Sequence, residues 1–376
     1  MGELTRVLHV FGRLDSGGAE SRTMDIYRCI DKTKVQFDFA IHTEDECFFS
    51  EEIRSLGGKI FHFPRFTGKN YFEYKNSWLN FFKSHQQYKI IHGHQTSTGF
   101  IYLNEAKKNG IPKRIAHARN SNKDSSIKKY TTRLTRFYAT DLLAVSKLAG
   151  ISEFGKKFVN KGTVKIIPNA IQVNKYSFNN QMRIEKRLEL GLINELAVVH
   201  IGRFESQKNH DFLLRVFKEA VRKSRNLKLF LIGNGPAIEM VKAKIQQLGI
   251  ENKVQLLGIR SDVPEILQAM DILLFPSLFE GLPGVVLEAQ ASGIPCVISE
   301  NITDEVKITN LVKYVSLSKS PDYWADILLR YSQKFKRINT YSDIVEAGYD
   351  IQSVSNYYEE LYLSQQIYEN YYGHSY

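Results

Sequence analysis

Short apolar runs and amphipathic stretches alternate along most of the chain. The runs are rich in Val, Ile, Leu and Phe, which predicts buried strands, and the stretches between them repeat apolar residues with helical spacing. Alternation of this kind predicts parallel sheets built from βαβ units. Strands are predicted at 6–10, 36–41, 59–63, 89–92, 114–117, 142–145, 164–167, 196–201, 227–232, 254–257, 272–275 and 295–298. Helices are predicted between the strands of the first half, for instance at 19–30, 71–85 and 125–138, and in the second half at 211–223, 237–248, 263–270, 285–292 and 343–372.

The alternation is interrupted at Pro168-Asn169-Ala170-Ile171, and a polar stretch follows at 174–181. Proline and asparagine mark loops, and 376 residues are enough for two hydrophobic cores. The sequence therefore predicts two doubly wound α/β domains in series, 1–170 and 171–350, with a cleft between them. The amphipathic part of 343–372 needs a partner surface.

Positive charge is concentrated in the first half of the chain. The net charge is +11, and residues 1–170 carry 28 Lys and Arg against 16 Asp and Glu, whereas the remainder carries 23 against 24. The excess is densest between Lys107 and Arg136. A basic surface attracts anionic lipid headgroups, polyanionic substrates or nucleic acid, although many such surfaces are simply solvated.

Cysteine content and the start of the chain indicate the compartment. The three cysteines, Cys29, Cys47 and Cys296, form no CxxC pair, which argues against a disulfide framework or a structural zinc site. The first ten residues carry charges where a signal peptide has its apolar stretch, and no apolar run is long enough to span a membrane. We expect a cytoplasmic protein that does not cross the membrane.

Two glutamates eight residues apart, Glu280 and Glu288, are the most informative polar residues. Glu280 follows the predicted strand 272–275 in a loop with glycine and proline, and a helix begins near Pro283 and carries Glu288. Ligands of open α/β sheets bind at this edge, where helix N–H groups favour phosphate and carboxylates accept hydrogen bonds from hydroxyls. Sugar nucleotides present both groups. A loop glutamate beside an exposed helix glutamate would give the same pattern without a ligand.

Arg203 and Lys208 are further candidates for phosphate binding. Both follow the predicted strand 196–201, so they belong to the same edge of the second sheet. Arg203 can bind phosphate oxygens as a fork, and Lys208 can bind them as a mobile point charge. Exposed lysine and arginine are common, and an ordinary surface would also contain them.

Glycine loops follow other predicted strands. The pair Gly17-Gly18 opens a predicted helix in the first domain, where glycine lets the backbone approach a ligand and the helix start favours an anion. In the second domain, loops containing Gly233 and Gly235, and the loop with Arg260, could hold a nucleobase through main-chain groups. Ordinary tight turns have the same composition.

Together these residues resemble the retaining glycosyltransferases of family 4, above all through the Glu-x7-Glu pair. The resemblance is strongest from 201 to 297, and the first half is similar to exopolysaccharide and capsule glycosyltransferases of bacteria. It implies the GT-B fold, with two Rossmann-like domains facing a central cleft and a C-terminal helix, 351–376, that packs back toward the first domain. It also implies that 171–350 binds a nucleotide-sugar donor, that 1–170 binds the acceptor, and that no metal or other cofactor is needed.

The resemblance also implies a role for each candidate residue. Arg203 and Lys208 would neutralise the leaving diphosphate. Glu288 would bind the ribose hydroxyls and Glu280 the sugar hydroxyls. Gly18 would let the diphosphate and the acceptor approach the first domain. The donor site would further include Gly17, Gly233, Gly235, Arg260, Gly281, Leu282 and Pro283.

The histidine that contacts the donor sugar in this family is harder to assign. His117, at the end of a predicted strand, is the candidate, and His92 and His94 are alternatives. Arg119 stands where relatives often have a second histidine, and the segment 299–305 lacks the usual glycine pair that contacts the donor sugar. The identity of the donor sugar therefore stays open.

We expect an enzyme that moves a hexose or N-acetylhexosamine, with retention, from a UDP-sugar to a lipid-linked or growing saccharide in cell-surface polysaccharide biosynthesis. The basic, aromatic-rich first half suggests peripheral docking on the anionic inner face of the plasma membrane, beside a polyprenyl-diphosphate-linked acceptor. Nucleic acid is not an expected partner. The alternatives are a nucleotide-sugar epimerase of the same two-domain shape and a polyanion-binding or membrane-scaffold protein.

Overall fold

The computed structural model describes residues 4–15, 17–119, 126–334 and 337–372, with the side chains of 126–129 and 365–372 left undescribed. The basic stretch between Lys107 and Arg136 is thus covered in part, since Lys123 and the side chains of Lys128 and Lys129 lie outside the described residues. The chain divides into two compact units. Unit 1 comprises 1–170 and 351–376, and unit 2 comprises 171–350.

Strands and helices alternate through both units, as the hydrophobic pattern predicts. The strands are β1 (Thr5–Phe11), β2 (Val35–Ile41), β3 (Ile60–His62), β4 (Ile90–Gly93), β5 (Lys113–Ala118), β6 (Asp141–Ala144), β7 (Val164–Ile166), β8 (Leu196–Ile201), β9 (Leu227–Ile232), β10 (Val254–Gly258), β11 (Ile272–Phe275), β12 (Cys296–Ser299) and β13 (Val312–Val315). The helices are α1 (Gly18–Cys29), α2 (Ser50–Ser55), α3 (Tyr71–Ser84), α4 (Thr96–Lys108), α5 (Ser126–Thr135), α6 (Lys147–Phe154), α7 (Lys156–Asn160), α8 (Val173–Tyr176), α9 (Asn180–Glu189), α10 (His210–Lys223), α11 (Ile238–Leu248), α12 (Val263–Ala269), α13 (Gly284–Ala291), α14 (Pro321–Lys334), α15 (Tyr341–Glu346) and α16 (Ile351–Tyr372).

Each unit is a doubly wound parallel sheet. The strand order is β3-β2-β1-β4-β5-β6-β7 in unit 1 and β10-β9-β8-β11-β12-β13 in unit 2, and the neighbouring strands pair in parallel. The order reverses between β1 and β4 in unit 1 and between β8 and β11 in unit 2. In open sheets of this type, ligands bind outside the carboxyl ends of the strands at such a reversal.

The end of the chain completes the core of unit 1. The apolar face of α16, including Ile351, Tyr358 and Tyr362, is buried in one cluster with Val7 of β1 and Phe37 of β2. The main-chain oxygen of Leu361 accepts a hydrogen bond from Lys113 Nζ on β5. The predicted amphipathic helix therefore has its partner surface on the first sheet.

Several elements of unit 2 and the end of the chain differ from the sequence-based prediction. Helices α9 and α14 were not predicted. The predicted single helix 343–372 is two helices, because Gly348 takes the left-handed conformation, with a φ of 82°. Helix α15 belongs to unit 2 and α16 to unit 1. The short strand β13 was not predicted. Only its two end residues are buried, so its apolar pattern is brief.

Candidate active site

Lys208 and Glu280 meet at the point where the strand order of unit 2 reverses. Lys208 follows β8 in a short 3-10 turn, and Glu280 follows β11, the neighbouring strand. Lys208 Nζ lies 2.6 Å from Glu280 Oε1, with only 14% and 10% of the two side chains exposed. The structure thus brings two predicted residues together as a mostly buried ion pair.

Phe275, the last residue of β11, contacts the Lys208 side of this pair. The ammonium group of Lys208 lies 4.8 Å from the centre of the Phe275 ring, a cation–π distance. The ring of His200 on β8 stacks against Phe275 with a centroid distance of 5.4 Å. The sequence predicts Phe275 only as the end of a strand, because its apolar side chain gives no signal of a functional role.

Hydrogen bonds fix the loop that carries Glu280. Leu278 N donates to Gln207 O at 2.8 Å, and Gln207 Nε2 donates to Phe279 O at 2.9 Å. Asn209 has a positive φ of 54° and donates from Nδ2 to Pro276 O at 3.2 Å. The loop after β11 is therefore tied to the turn that carries Lys208, which limits how far the ion pair can separate.

Helix α13 begins directly after this loop. Pro283 is its N-cap residue, and no side chain caps the first turn. Val286 N donates to Pro283 O at 3.1 Å, and the N–H groups before Val286 have no partner within the helix. Gly281 and Leu282 form the approach to the helix, and Leu282 is buried. Glu288 lies one turn further along α13 and is only 7% exposed. Helix starts of this kind favour anions.

The glycines after β9 serve the contact between two loops. Gly233 has a φ of 134°, and a Cβ there would overlap the carbonyl oxygen of Gly202. A Cβ at Gly235 would lie 2.5 Å from the carbonyl oxygen of Phe204. The backbone of 233–235 thus packs directly on the loop that follows β8.

Arg203 and Arg260 differ in their surroundings. The Arg203 side chain is exposed and makes no hydrogen bond or ion pair with any described residue.

The guanidinium of Arg260 is held by Asp262, with distances of 2.7 and 2.6 Å, and this raises the pKa of Arg260. Arg260 follows β10, two strands from β8 and thus about 10 Å away. The structure does not join it to Lys208 and Glu280.

The glycine pair of unit 1 opens helix α1. Gly17 is the N-cap residue, and the position of a Cβ on Gly18 has no atom within 4 Å. The carboxylate of Glu20 folds back over Gly17, and burial raises the pKa of Glu20. Open space therefore surrounds the Cβ position of Gly18, and its contact with a ligand stays a prediction.

Four histidine rings stack near the carboxyl ends of the strands of the first sheet, those of His9, His92, His94 and His117. His92 Nε2 and His117 Nδ1 are 3.0 Å apart, and His92 Nδ1 is 2.7 Å from the Tyr362 hydroxyl of α16. His9 Nδ1 lies 3.0 Å from His94 Nε2. His9, His92 and His117 are buried, whereas His94 is partly exposed. Burial lowers the pKa of all four well below the usual value, so the rings are neutral.

A ligating nitrogen from each of His9, His92 and His94 lies within 4.8 Å of the others, which is close enough to consider a metal site. Both ring nitrogens of His92 and of His94 are already engaged in hydrogen bonds, and the rings are stacked face to face. Lone pairs of stacked rings do not converge on one point. The arrangement fits a hydrogen-bonded chain better than a metal centre.

Arg119 was noted from the sequence only as a departure from relatives. It follows β5 and donates from Nε to His94 Nδ1 at 3.1 Å, from Nη1 to Asn169 Oδ1 at 3.1 Å and from Nη2 to Thr23 Oγ1 at 3.2 Å. These partners come from three separate segments of unit 1. The signal available in the sequence was its position directly after a predicted strand.

Comparison with known proteins identifies the group. Residues 195–333 match the family described as Glycosyl transferases group 1. Putative glycosyltransferase EpsF of Bacillus subtilis is 34% identical over 359 residues, which cover 92% of this chain and 93% of that protein. UDP-Gal:alpha-D-GlcNAc-diphosphoundecaprenol alpha-1,3-galactosyltransferase of Escherichia coli is 29% identical over 234 residues, covering 57% of this chain and 58% of that protein.

Solved structures agree on the architecture. The crystal structure of Anabaena HepE in complex with UDP superposes with a TM-score of 0.70, at 17% identity, over 98% of this chain and 99% of that chain. The predicted GT-B fold, built from two Rossmann-like parallel-sheet domains, is confirmed. With its match along almost the whole of EpsF, the chain belongs to the glycosyltransferases, and it has the GT-B fold.

Proposed function

We propose that this glycosyltransferase moves a hexose or N-acetylhexosamine, with retention of configuration, from a UDP-sugar to a lipid-linked or growing saccharide of a cell-surface polysaccharide. The observation that carries the proposal is the Lys208–Glu280 pair at the strand reversal of unit 2, beside the uncapped start of α13. A cation and a carboxylate at one place match the two parts of the donor, its diphosphate and its sugar hydroxyls. The UDP bound to HepE and the substrates in the name of the E. coli relative support this donor and acceptor chemistry.

Lys208 and Arg203 would stabilise the leaving diphosphate. Without substrate, Lys208 is neutralised by Glu280. When a diphosphate arrives, the ammonium can turn toward it, and the released carboxylate of Glu280 can accept a hydrogen bond from a sugar hydroxyl. Arg203 makes no bond to any described residue, so its guanidinium can bind phosphate oxygens without first giving up such a partner. Charge that grows on the leaving group is then stabilised most in the transition state.

We infer a front-face reaction at the anomeric carbon. The bond from this carbon to the phosphate oxygen breaks, the bond to the acceptor oxygen forms on the same face, and the acceptor proton moves to the leaving phosphate. The positive charges of Lys208 and Arg203 support a reaction that needs no metal ion. Glu288, on the first turns of α13, would bind the ribose hydroxyls.

Burial does not single out one histidine for the donor sugar. His92 and His117 are almost completely buried, at 1% and 0% exposure. His94, after β4, is partly exposed as a residue, but both of its ring nitrogens already make hydrogen bonds, to His9 and to Arg119. His117 therefore stays the candidate for this contact, with His92 and His94 as alternatives.

We also propose that unit 1 docks on the anionic inner face of the plasma membrane. Tyr130 and Phe137 are 66% and 63% exposed, and Arg133 between them is exposed too. Aromatic and basic side chains together favour an anionic lipid surface. Among the described residues, no helix is both long and apolar enough to cross a bilayer. Peripheral docking would bring the enzyme to a polyprenyl-diphosphate-linked acceptor.

The test is a transfer assay with a panel of UDP-, GDP- and dTDP-sugars. Lys208→Ala should lower turnover by a factor of about 100 to 1,000, the usual loss when one charge-stabilising donor is removed. Glu280→Gln should lower it as well. Lys242→Ala is the matched control, because Lys242 pairs with Glu239 on the exposed surface of α11 in the same unit.

The product separates the proposal from its alternatives. Retained anomeric configuration, read from the proton coupling constant of the product, is expected. An inverted product would contradict the front-face route. An isomerised sugar nucleotide without transfer would indicate an epimerase, and unchanged turnover in Lys208→Ala would reject the role of that residue.

A further inference from the structure

Arg119 is a guanidinium surrounded by neutral hydrogen-bond acceptors. His94 Nδ1, Asn169 Oδ1 and Thr23 Oγ1 each accept one of its hydrogen bonds, and no described carboxylate forms an ion pair with it. Thr23 donates its own hydroxyl proton to Ala19 O, so its oxygen is free to accept from Arg119. Charged groups that are removed from water are normally paired. This cation is positioned but not neutralised.

The neighbouring rings cannot supply the missing negative charge. Because Arg119 donates to His94 Nδ1, the proton of the neutral His94 ring must be on Nε2, from which it is donated to His9 Nδ1. His9 therefore carries its own proton on Nε2, which is buried without a partner. The histidine stack thus presents only neutral groups, and its bonds hold Arg119 in place.

Glu20 is the acidic residue whose charge acts on Arg119, and it forms no ion pair with it in the described part of the chain. Glu20 interacts with Arg119 only through space, since its carboxylate lies over Gly17 at the start of α1. Burial is the main reason that the pKa of Glu20 is raised, and Arg119 opposes this shift only partly. The positive charge of Arg119 consequently stays available at the carboxyl edge of β5.

We propose that Arg119 binds a phosphate oxyanion of a substrate, which rests on the glycosyltransferase function proposed above. A guanidinium has five N–H donors, and three are used within the described part of unit 1. The remaining two, one on each terminal nitrogen, can form a fork to phosphate oxygens. The site lies next to β4, at the strand reversal of unit 1 where ligands of such sheets bind.

Two sources could supply this phosphate in the proposed reaction. One is the diphosphate of the sugar donor, and the other is the diphosphate that links the acceptor to its lipid carrier. Both present the same tetrahedral oxyanion to the guanidinium. UDP and geranyl diphosphate serve as separate probes for the two sources.

The experiment compares the full chain with Arg119→Gln and Arg119→Lys by isothermal titration with each probe. Arg119→Gln should weaken binding of one probe about tenfold or more, because a charge-assisted fork is lost. Arg119→Lys keeps the charge without the fork and should show an intermediate loss. It also supplies a second variant if the glutamine form does not fold.

Arg114→Gln is the matched control. Arg114 lies on β5, the strand that Arg119 follows, and also donates to neutral acceptors. These are main-chain oxygens at the opposite edge of the sheet, those of Ile111, Pro112 and Tyr138. We expect this variant to bind both probes as the wild type does. Loss of geranyl diphosphate binding in Arg119→Gln assigns the acceptor as the source, and loss of UDP binding assigns the donor.

A thermal-shift measurement without ligand separates binding from a structural role. If Arg119 serves to bind a ligand, the unliganded protein does not need its charge. The Arg119→Gln variant should therefore unfold at the same temperature as the wild type or at a higher one. The inference is overturned if the wild type binds the probes and both Arg119 variants bind them equally well. If the wild type itself binds no UDP, the proposed donor chemistry is at fault instead.

Discussion

Gly233 shows at the scale of one residue why a loop glycine near a ligand site need not contact the ligand. Its φ of 134° is a region that residues with a side chain rarely adopt, and its missing Cβ leaves room for the carbonyl of Gly202. Gly258 has a φ of 67° but faces open space. The two glycines are therefore required for different reasons.

We predict that Gly233→Ala lowers the free energy of unfolding by about 3 kcal/mol or more, because backbone strain and a steric overlap act together. Gly258→Ala should lower it by only about 1 to 2 kcal/mol, from the left-handed conformation alone. Urea unfolding followed by circular dichroism measures both. Equal losses in the two variants would contradict the overlap at Gly202.

Much of the candidate site could be predicted residue by residue. Lys208 and Glu280 could be placed from their positions after neighbouring strands, since the carboxyl ends of parallel strands share one edge. The burial of His92 and His117 could not be predicted, because it depends on what α16 covers. The bonds of Arg119 also depend on segments far apart in the sequence.

Arg337 joins two helices of unit 2 at the scale of elements. Its guanidinium donates to Leu267 O at 2.9 Å and Gln268 O at 3.0 Å in α12, and also to Met270 O and to Ser292 O, which follows α13. Burial lowers the pKa of Arg337 to about 9, so it stays protonated at neutral pH. The carbonyl ends of helices favour a cation.

We expect Arg337→Ala to lower the stability of unit 2 by about 3 kcal/mol, because several buried carbonyls lose their donor. Weaker UDP binding should follow, since α13 carries Glu288. Trp324 is in unit 2 and Trp78 is in unit 1. In a Trp78→Phe background, tryptophan fluorescence therefore comes from unit 2 alone, and its change in urea measures the unfolding of that unit. Arg330→Ala, on the exposed side of α14, is the control and should change neither quantity. A variant as stable as the control would exclude the role of Arg337.

Element boundaries could be predicted where the apolar pattern is long and could not where it is brief. The predicted strands of both sheets are present, because each is an apolar run between turn residues. Strand β13 has the sequence Val312-Lys313-Tyr314-Val315, with Lys313 exposed, and so gives almost no periodic signal. The break between α15 and α16 depends on the conformation of Gly348, and glycine within a helical pattern predicts a break only weakly.

At the scale of the whole molecule, the excess of positive charge lies in the first half of the chain, where Tyr130 and Phe137 are also exposed. We predict that Arg133→Gln with Phe137→Ser weakens binding to phosphatidylglycerol vesicles by a factor of about five or more, since each basic residue near an anionic membrane contributes about 1 kcal/mol. Sedimentation with the vesicles at low salt measures this. Arg225→Gln with Ile193→Ser, both exposed in unit 2, is the matched control.

Phosphatidylcholine vesicles provide the second comparison. Binding to them should be weak for every variant, because they lack the negative surface charge. If the unit 1 pair and the unit 2 pair of substitutions weaken vesicle binding equally, Arg133 and Phe137 have no special part in docking.

Unit 2 is inserted into unit 1, and this affects synthesis of the chain. The chain enters unit 2 at Ile171 and leaves it at Asp350, and these two residues form a β-bridge. On the ribosome, residues 171–350 therefore emerge before α16, which supplies Tyr358 and Tyr362 to the core of unit 1. Domains generally fold as they are made. Until the inserted unit has been translated, part of the apolar surface of the nascent first sheet stays uncovered. We expect chaperones to bind this surface during that interval.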